Sequence, residues 1–207
     1  MNIIFLGLGG HFNVLFDILS KKKKFNLYGV HSLLNENILN KYKFRSLSKK
    51  QITDLNPKKY ILVNAIGFNL NNKNRKKMFN EFKKIGFNFL TVIHPSATIS
   101  NSATISEGAQ ILTQSSIMPN VHIGKNCVIN TNSSVDHDSR LDDNVNLSPN
   151  STICGNVYIK QDSYIGASST ILNNLTIGKS CHVFPGSVVN KNIKDKLKYI
   201  NGRIIAK

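Results

Sequence analysis

The chain has 207 residues, 41 % of them hydrophobic, and a formal net charge of +16. This length allows one large or two small domains with a buried core. The charge would point to nucleic acid, but it is uneven: residues 1–89 hold 17 Lys and Arg against 4 Asp and Glu, residues 90–189 hold 4 against 6, and residues 190–207 hold 6 against 1. Lysine and asparagine run together in stretches such as "NLNNKNRKKMFNEFKK". Such runs read as solvated faces, with steering of polyanionic small molecules such as nucleotides or coenzyme A as the functional alternative. No aromatic-plus-basic stripe supports base stacking, so no nucleic-acid partner is expected. No 18-residue apolar run predicts a membrane span, and the N-terminus lacks the basic start and cleavage site of a signal peptide. Cys127, Cys154 and Cys181 form no CxxC pair. They argue against a disulfide framework and for a reducing cytoplasm.

In chain order, "NIIFL" reads as a buried strand, then a Gly-rich turn, "GLGG", then a helix to about Lys22. Gly7, Gly9 and Gly10 let the backbone approach a ligand. A dinucleotide fingerprint needs a third glycine at position 12, which is Phe12, so NAD is not expected. Strands are predicted at 25–30 and 60–66, a helix at 73–84 and a strand at 87–92. Together these make a small α/β domain over residues 1–92, with a parallel sheet whose ligands sit at the carboxyl ends of its strands.

From Ile93 to Val189 every sixth residue, 17 in all, is Ile, Val or Leu, while small or polar residues fill most of the rest. A helix wants a period near 3.6 and a strand wants 2. Six fits a triangular solenoid of parallel strands with 18 residues per coil, each aliphatic pointing into the prism. Residues 18 apart then lie one above the other, at roughly 4.8 Å. The solenoid is expected over 93–190 and a capping segment over 191–207.

The hexads together with "GLGGH", "NAIG", "IHPSATIS" and "NTNSSVDHD" resemble the hexapeptide-repeat sugar O- and N-acyltransferases, over nearly the whole chain. That family includes the sialic acid O-acetyltransferase and the 4-amino-sugar N-acetyltransferases of the UDP-bacillosamine and GDP-perosamine pathways. The resemblance implies a left-handed β-helix, a homotrimer with active sites in the clefts between subunits, acetyl-CoA as co-substrate, a nucleotide-sugar substrate and no metal. It implies that His137 is the general base and that Asp138 orients its ring, with Asp136 as competitor for that role. Gly155, one coil above His137, would offer its N–H to the thioester oxygen; a glycine required by a solenoid corner is the alternative. Gly9, Gly10, His11 and Gly67 would line the sugar or nucleotide, and Asn130 would lie near the acceptor. Ala167 and Pro185 fall where the family contacts coenzyme A. Since Pro185 has no N–H, a main-chain donor there must come from a neighbour such as Gly186.

Two positions depart from the family pattern. Asn146 stands nine residues after His137, where a second histidine is common; it can hydrogen-bond but cannot titrate near neutral pH. His31 and Ser32 replace an acidic pair that contacts the nucleotide in the UDP-sugar enzymes. His94, His122 and His182 read as structural or solvent-facing, and their spacing lacks the H-x4-H pair of a metal-dependent β-helix enzyme. The leading expectation is acetyl transfer to the amine of a nucleotide-linked 4-amino-4,6-dideoxy sugar, UDP-linked favoured and GDP-perosamine the alternative. O-acetylation of a sialic acid or nonulosonate is the nearer rival, and a non-catalytic β-helix scaffold is the rival of another class.

Overall fold

The computed structural model describes residues 1–22, 24–31, 44–68 and 74–206, in two units, Met1–Leu90 and Thr91–Lys207. In the first unit the order is β1 (Asn2–Leu6), α1 (Gly10–Ser20), β2 (Asn26–His31), α2 (Lys49–Thr53), a 3-10 turn (Pro57–Lys59), β3 (Tyr60–Asn64), α3 (Asn74–Ile85) and β4 (Asn88–Phe89). The strands form one parallel sheet in the order β2-β1-β3-β4. Phe12 explains why the dinucleotide fingerprint fails. It is fully buried, edge-on to Phe5 at 5.0 Å and stacked on Phe16 at 5.5 Å, so it anchors α1 to the sheet where a glycine would leave a gap. The predicted strand at 87–92 divides in two. Asn88–Phe89 pairs with β3, whereas Val92–Ile93 pairs with Gln110–Ile111 in the second unit.

The second unit is a left-handed parallel β-helix. Its 17 strands, β5 (Val92–Ile93) to β21 (Val188–Val189), have two residues each and recur every six residues. Each ends on the aliphatic residue of its hexad. Successive strands go to successive faces, so three parallel sheets run up the solenoid. The first face starts with Val92–Ile93, the second with Thr98–Ile99 and the third with Thr104–Ile105. Registers such as His122↔Arg140 and Ile123↔Leu141 place residues 18 apart in contact. From Ile111 to Val189 the hexad aliphatics are fully buried, and those of the first coil are partly so. Each such side chain stabilises the prism by about 1.5–3 kcal/mol.

The corners explain much of the asparagine. Fourteen successive positions at six-residue steps, Gly108 to Gly186, have φ between 54° and 71°. Gly, Asn and Asp tolerate this left-handed region best, and Asn holds seven of the fourteen positions. Inside the corners, small polar residues satisfy backbone carbonyls. Ser133, Ser139, Ser163 and Ser169 donate to the carbonyl 15 residues ahead at 2.6–3.0 Å. Cys127 does the same to Asp142 O at 3.1 Å, and Cys181 donates to Lys194 O at 3.0 Å. Those two cysteines pack inside the prism, whereas Cys154 is partly exposed.

After β21 the chain adds β22 (Leu197–Ile200), parallel to the first-face strand His182–Val183, and turns back through Asn201–Gly202 into β23 (Arg203–Ala206). Tyr199 is fully buried in the last coil, with its hydroxyl donating to Val188 O at 2.9 Å.

Candidate active site

The corner between the second and third faces carries His137. Val135 and Ser139 both point inward and are buried, so Asp136, His137 and Asp138 form an outward bulge of three residues between two anchors. The bulge is pinned from both neighbouring coils. Asp138 N–H donates to Pro119 O at 3.1 Å, Asp136 N–H to Ile153 O at 2.8 Å, and Asn156 N–H to His137 O at 2.9 Å.

The two aspartates divide their work. Asp136 Oδ1 accepts the backbone N–H of His137 at 2.8 Å. Asp138 Oδ2 lies 2.8 Å from His137 Nδ1. A carboxylate only accepts, so Nδ1 carries the proton and Nε2 presents a lone pair. The hydrogen bond to Asp138, and next the charge of Asp136, raise the imidazole above its ordinary value. Asp138 is held below the usual carboxylate value by His137 and by Asn120, whose Nδ2 donates to Asp138 Oδ1 at 3.0 Å. The ring stays in reach of solvent, with about half of its side chain exposed.

Gly155 meets this ring from the coil above. A Cβ built there would stand 2.6 Å from His137 Nε2 and 2.7 Å from Cε1. Three other solenoid glycines, Gly124, Gly166 and Gly178, are crowded by backbone atoms at their turns; Gly155 is the one crowded by a histidine ring. Its φ lies outside the left-handed region, which Asn156 occupies instead, so the corner itself does not demand glycine. Gly155 is buried, and among the described residues its N–H has no acceptor. The Nε2 edge of the ring therefore lies against Gly155, whose N–H is not spent within the chain.

Other expected site residues lie elsewhere. Asn130, Ala167, Pro185 and Gly186 sit on the corner between the first and second faces. Asn130 Oδ1 accepts Thr131 N–H at 2.9 Å. Gly186 N–H is taken by Ala167 O at 2.8 Å, so it is not a spare donor for a ligand. Asn146 lies on the first face, nearly buried between Val128 and Tyr164. A single chain does not bring these residues to His137. In the first unit, Gly9 and Gly10 face open space, and a Cβ on Gly67 would touch His11 Cβ at 3.5 Å. These four lie together at the carboxyl ends of β1 and β3. Gly7 has a different duty: its φ is 109°, and a Cβ there would stand 3.0 Å from the backbone of Ala65 and Ile66. His31 ends β2, its Nδ1 2.8 Å from Leu47 O; Ser32 lies outside the described residues. Asn120 carries no signal of its own in the sequence, because it is one of seven asparagines at equivalent left-handed corners. Among the described residues no group of three His, Cys, Asp or Glu converges on a metal position.

Residues 2–82 match the family model of the PglD N-terminal domain. No curated protein matches the chain significantly. Among solved structures it is similar to the acetyltransferase domain of PglB from Neisseria gonorrhoeae in complex with acetyl coenzyme A, at 24% identity and a TM-score of 0.85, covering 95% of this chain and 94% of that one. It is similar to a variant of perosamine N-acetyltransferase from Caulobacter crescentus in complex with CoA and GDP-perosamine, at 24% identity and a TM-score of 0.86, covering 100% and 97%. WeeI from Acinetobacter baumannii gives 23% identity and a TM-score of 0.82, covering 99% and 100%. At these identities the likeness shows the fold: a PglD-type N-terminal domain followed by a hexapeptide-repeat solenoid.

Proposed function

We propose that the chain transfers an acetyl group from acetyl-CoA to the amine of a nucleotide-linked 4-amino-4,6-dideoxy sugar. The observation that carries this reading is that His137 Nε2 lies against Gly155 of the next coil, whose N–H is unspent. The match of residues 2–82 to the PglD N-terminal domain and the likeness to a perosamine N-acetyltransferase support the substrate class; the nucleotide is UDP or GDP.

In this reading the amine attacks the thioester carbonyl while His137 Nε2 removes a proton from the nitrogen. The Gly155 N–H donates to the carbonyl oxygen as negative charge develops on it. The C–N bond forms, the C–S bond breaks, and the proton held by His137 goes to the departing thiolate. Asp138 keeps the ring in the tautomer that leaves Nε2 free and stabilises the imidazolium in between. Holding both substrates in one cleft lowers the barrier further.

The reading includes a homotrimer. Its support is that His137 and Gly155 occupy one corner while Asn130, Ala167 and Pro185 occupy another, so a second copy is needed to join the two sets. It also includes a cytoplasmic location, supported by three cysteines that form no disulfide. The test is acetyl-CoA consumption against UDP-4-amino sugars, GDP-perosamine and CMP-sialic acid. Turnover of a 4-amino sugar nucleotide is expected. Turnover of the sialic acid alone overturns the amine assignment, and absence of acetyl-CoA binding by calorimetry overturns the enzyme.

A further inference from the structure

Side-chain ladders climb the corners of the solenoid. On the corner between the third and first faces, Asn126 Nδ2 donates to Asn144 Oδ1 at 2.9 Å, and Asn144 Nδ2 to Asp162 Oδ1 at 3.2 Å. On the corner of the candidate site, Asn156 Nδ2 donates to Asn174 Oδ1 at 2.8 Å. In every rung the amide of the lower coil meets the oxygen of the coil above.

The column through the site runs Asn120, Asp138, Asn156, Asn174, all with left-handed φ of 55–62°. Asparagine at position 138 could receive from below and donate above. Aspartate has no amide hydrogen to pass on, so the ladder ends there and Oδ2 is left for the neighbouring ring. Asn120 Nδ2 holds Oδ1 at 3.0 Å while Oδ2 meets His137 Nδ1 at 2.8 Å. Asn120 is itself fixed from below, its N–H donating to Ser102 Oγ at 3.0 Å. An aspartate as exposed as Asp138 would otherwise sample several staggered rotamers, and few of them reach Nδ1.

We propose that Asn120 is a positioning residue for the His137–Asp138 pair: it ties one carboxylate oxygen to the coil below, so that the other fixes the imidazole with Nε2 toward Gly155. This rests on His137 as the base. Asn120 acts through Asp138 alone. Asparagine is the ordinary corner residue, and the acid in the next coil gives this one its task.

The test is Asn120→Gly, which removes the amide while keeping the left-handed backbone accessible. The His137 ring nitrogens are followed by 15N NMR across pH in the substrate-free protein. The fraction protonated at Nδ1 in the neutral ring is expected to fall, and the ring's titration to move down toward that of ordinary imidazole. Turnover should fall by roughly three- to tenfold, the loss of one hydrogen bond, with KM for acetyl-CoA unchanged. Asn174→Gly, in the same column but bonded to Asn156, should leave all three readings as in the native protein. If Asn120→Gly titrates like the native protein with its tautomer unchanged, the proposal is overturned; Asn120→Ser gives the same reading should the glycine variant not fold. Because the NMR uses no substrate, a native protein inert toward every amino sugar overturns the reaction and leaves Asn120 to be judged by its ring titration.

Discussion

His137 sits between two carboxylates that act on different atoms. Asp136 accepts its main-chain N–H, whereas Asp138 meets its ring. In the proposed reaction His137 works when neutral, and both acids raise its proton affinity. Activity is therefore lost as pH falls through the His137 pKa, and the acid limb of kcat/KM should have its midpoint above the ordinary imidazole value. Asp138→Asn should move that midpoint to lower pH and still reduce turnover, because the tautomer is no longer fixed. His137→Ala should cost ~10²–10⁴ in kcat with an unchanged circular dichroism spectrum. Gly155→Ala puts a methyl 2.6 Å from the resting position of Nε2, so the ring must rotate away. Its kcat should fall by about 10²-fold, the low end of what a general base contributes, because the base is displaced while the residue 155 N–H is kept. The motif "VDHD" announced this histidine in the sequence, and the 18-residue step announced Gly155. The resemblance assigns the orienting role to Asp138 with Asp136 as competitor; the residues alone do not decide it, because the choice depends on the left-handed backbone at Asp138.

A coil is a balance between an aliphatic side and a strained corner. Ile153 is fully buried, and Ile153→Ala should lower stability by about 2–5 kcal/mol in urea unfolding. At the exposed corner residue Asn150, φ is 59°. Asn150→Gly should be nearly neutral there, whereas Asn150→Val should cost ~1–2 kcal/mol because its branched Cβ meets the carbonyl in this conformation. The aliphatic period could be read directly because every hexad sends one large aliphatic side chain into the prism. The corner period stayed hidden, since abundant asparagine also marks solvated faces in residues 1–89. Helix α2 carries its own sequence signal: Ser48 and Gln51 make a capping box, with Ser48 Oγ accepting Gln51 N–H and Gln51 Oε1 accepting Ser48 N–H. The predicted strand at 87–92 merged two because both pieces are apolar and only their pairing separates them.

Across the molecule, charge and chemistry lie in different units. The first 89 residues hold most of the basic excess, while the solenoid segment 90–189 is nearly neutral. If those lysines steer a nucleotide sugar, KM for that substrate should rise with ionic strength while KM for the aminosugar methyl glycoside, which lacks the anionic diphosphate, shows no such rise. Light scattering should give three times the 23.1 kDa chain mass. The register His137 over Gly155 also constrains how this chain can change in length. Adding or deleting one residue between them would carry every later side chain around the prism and set another residue against the imidazole. A duplication of one complete coil above Gly155 would leave the pair intact and only lengthen the stack. Length variation in such a protein is thus quantised in units of 18 residues on the far side of its chemistry and nearly forbidden within it.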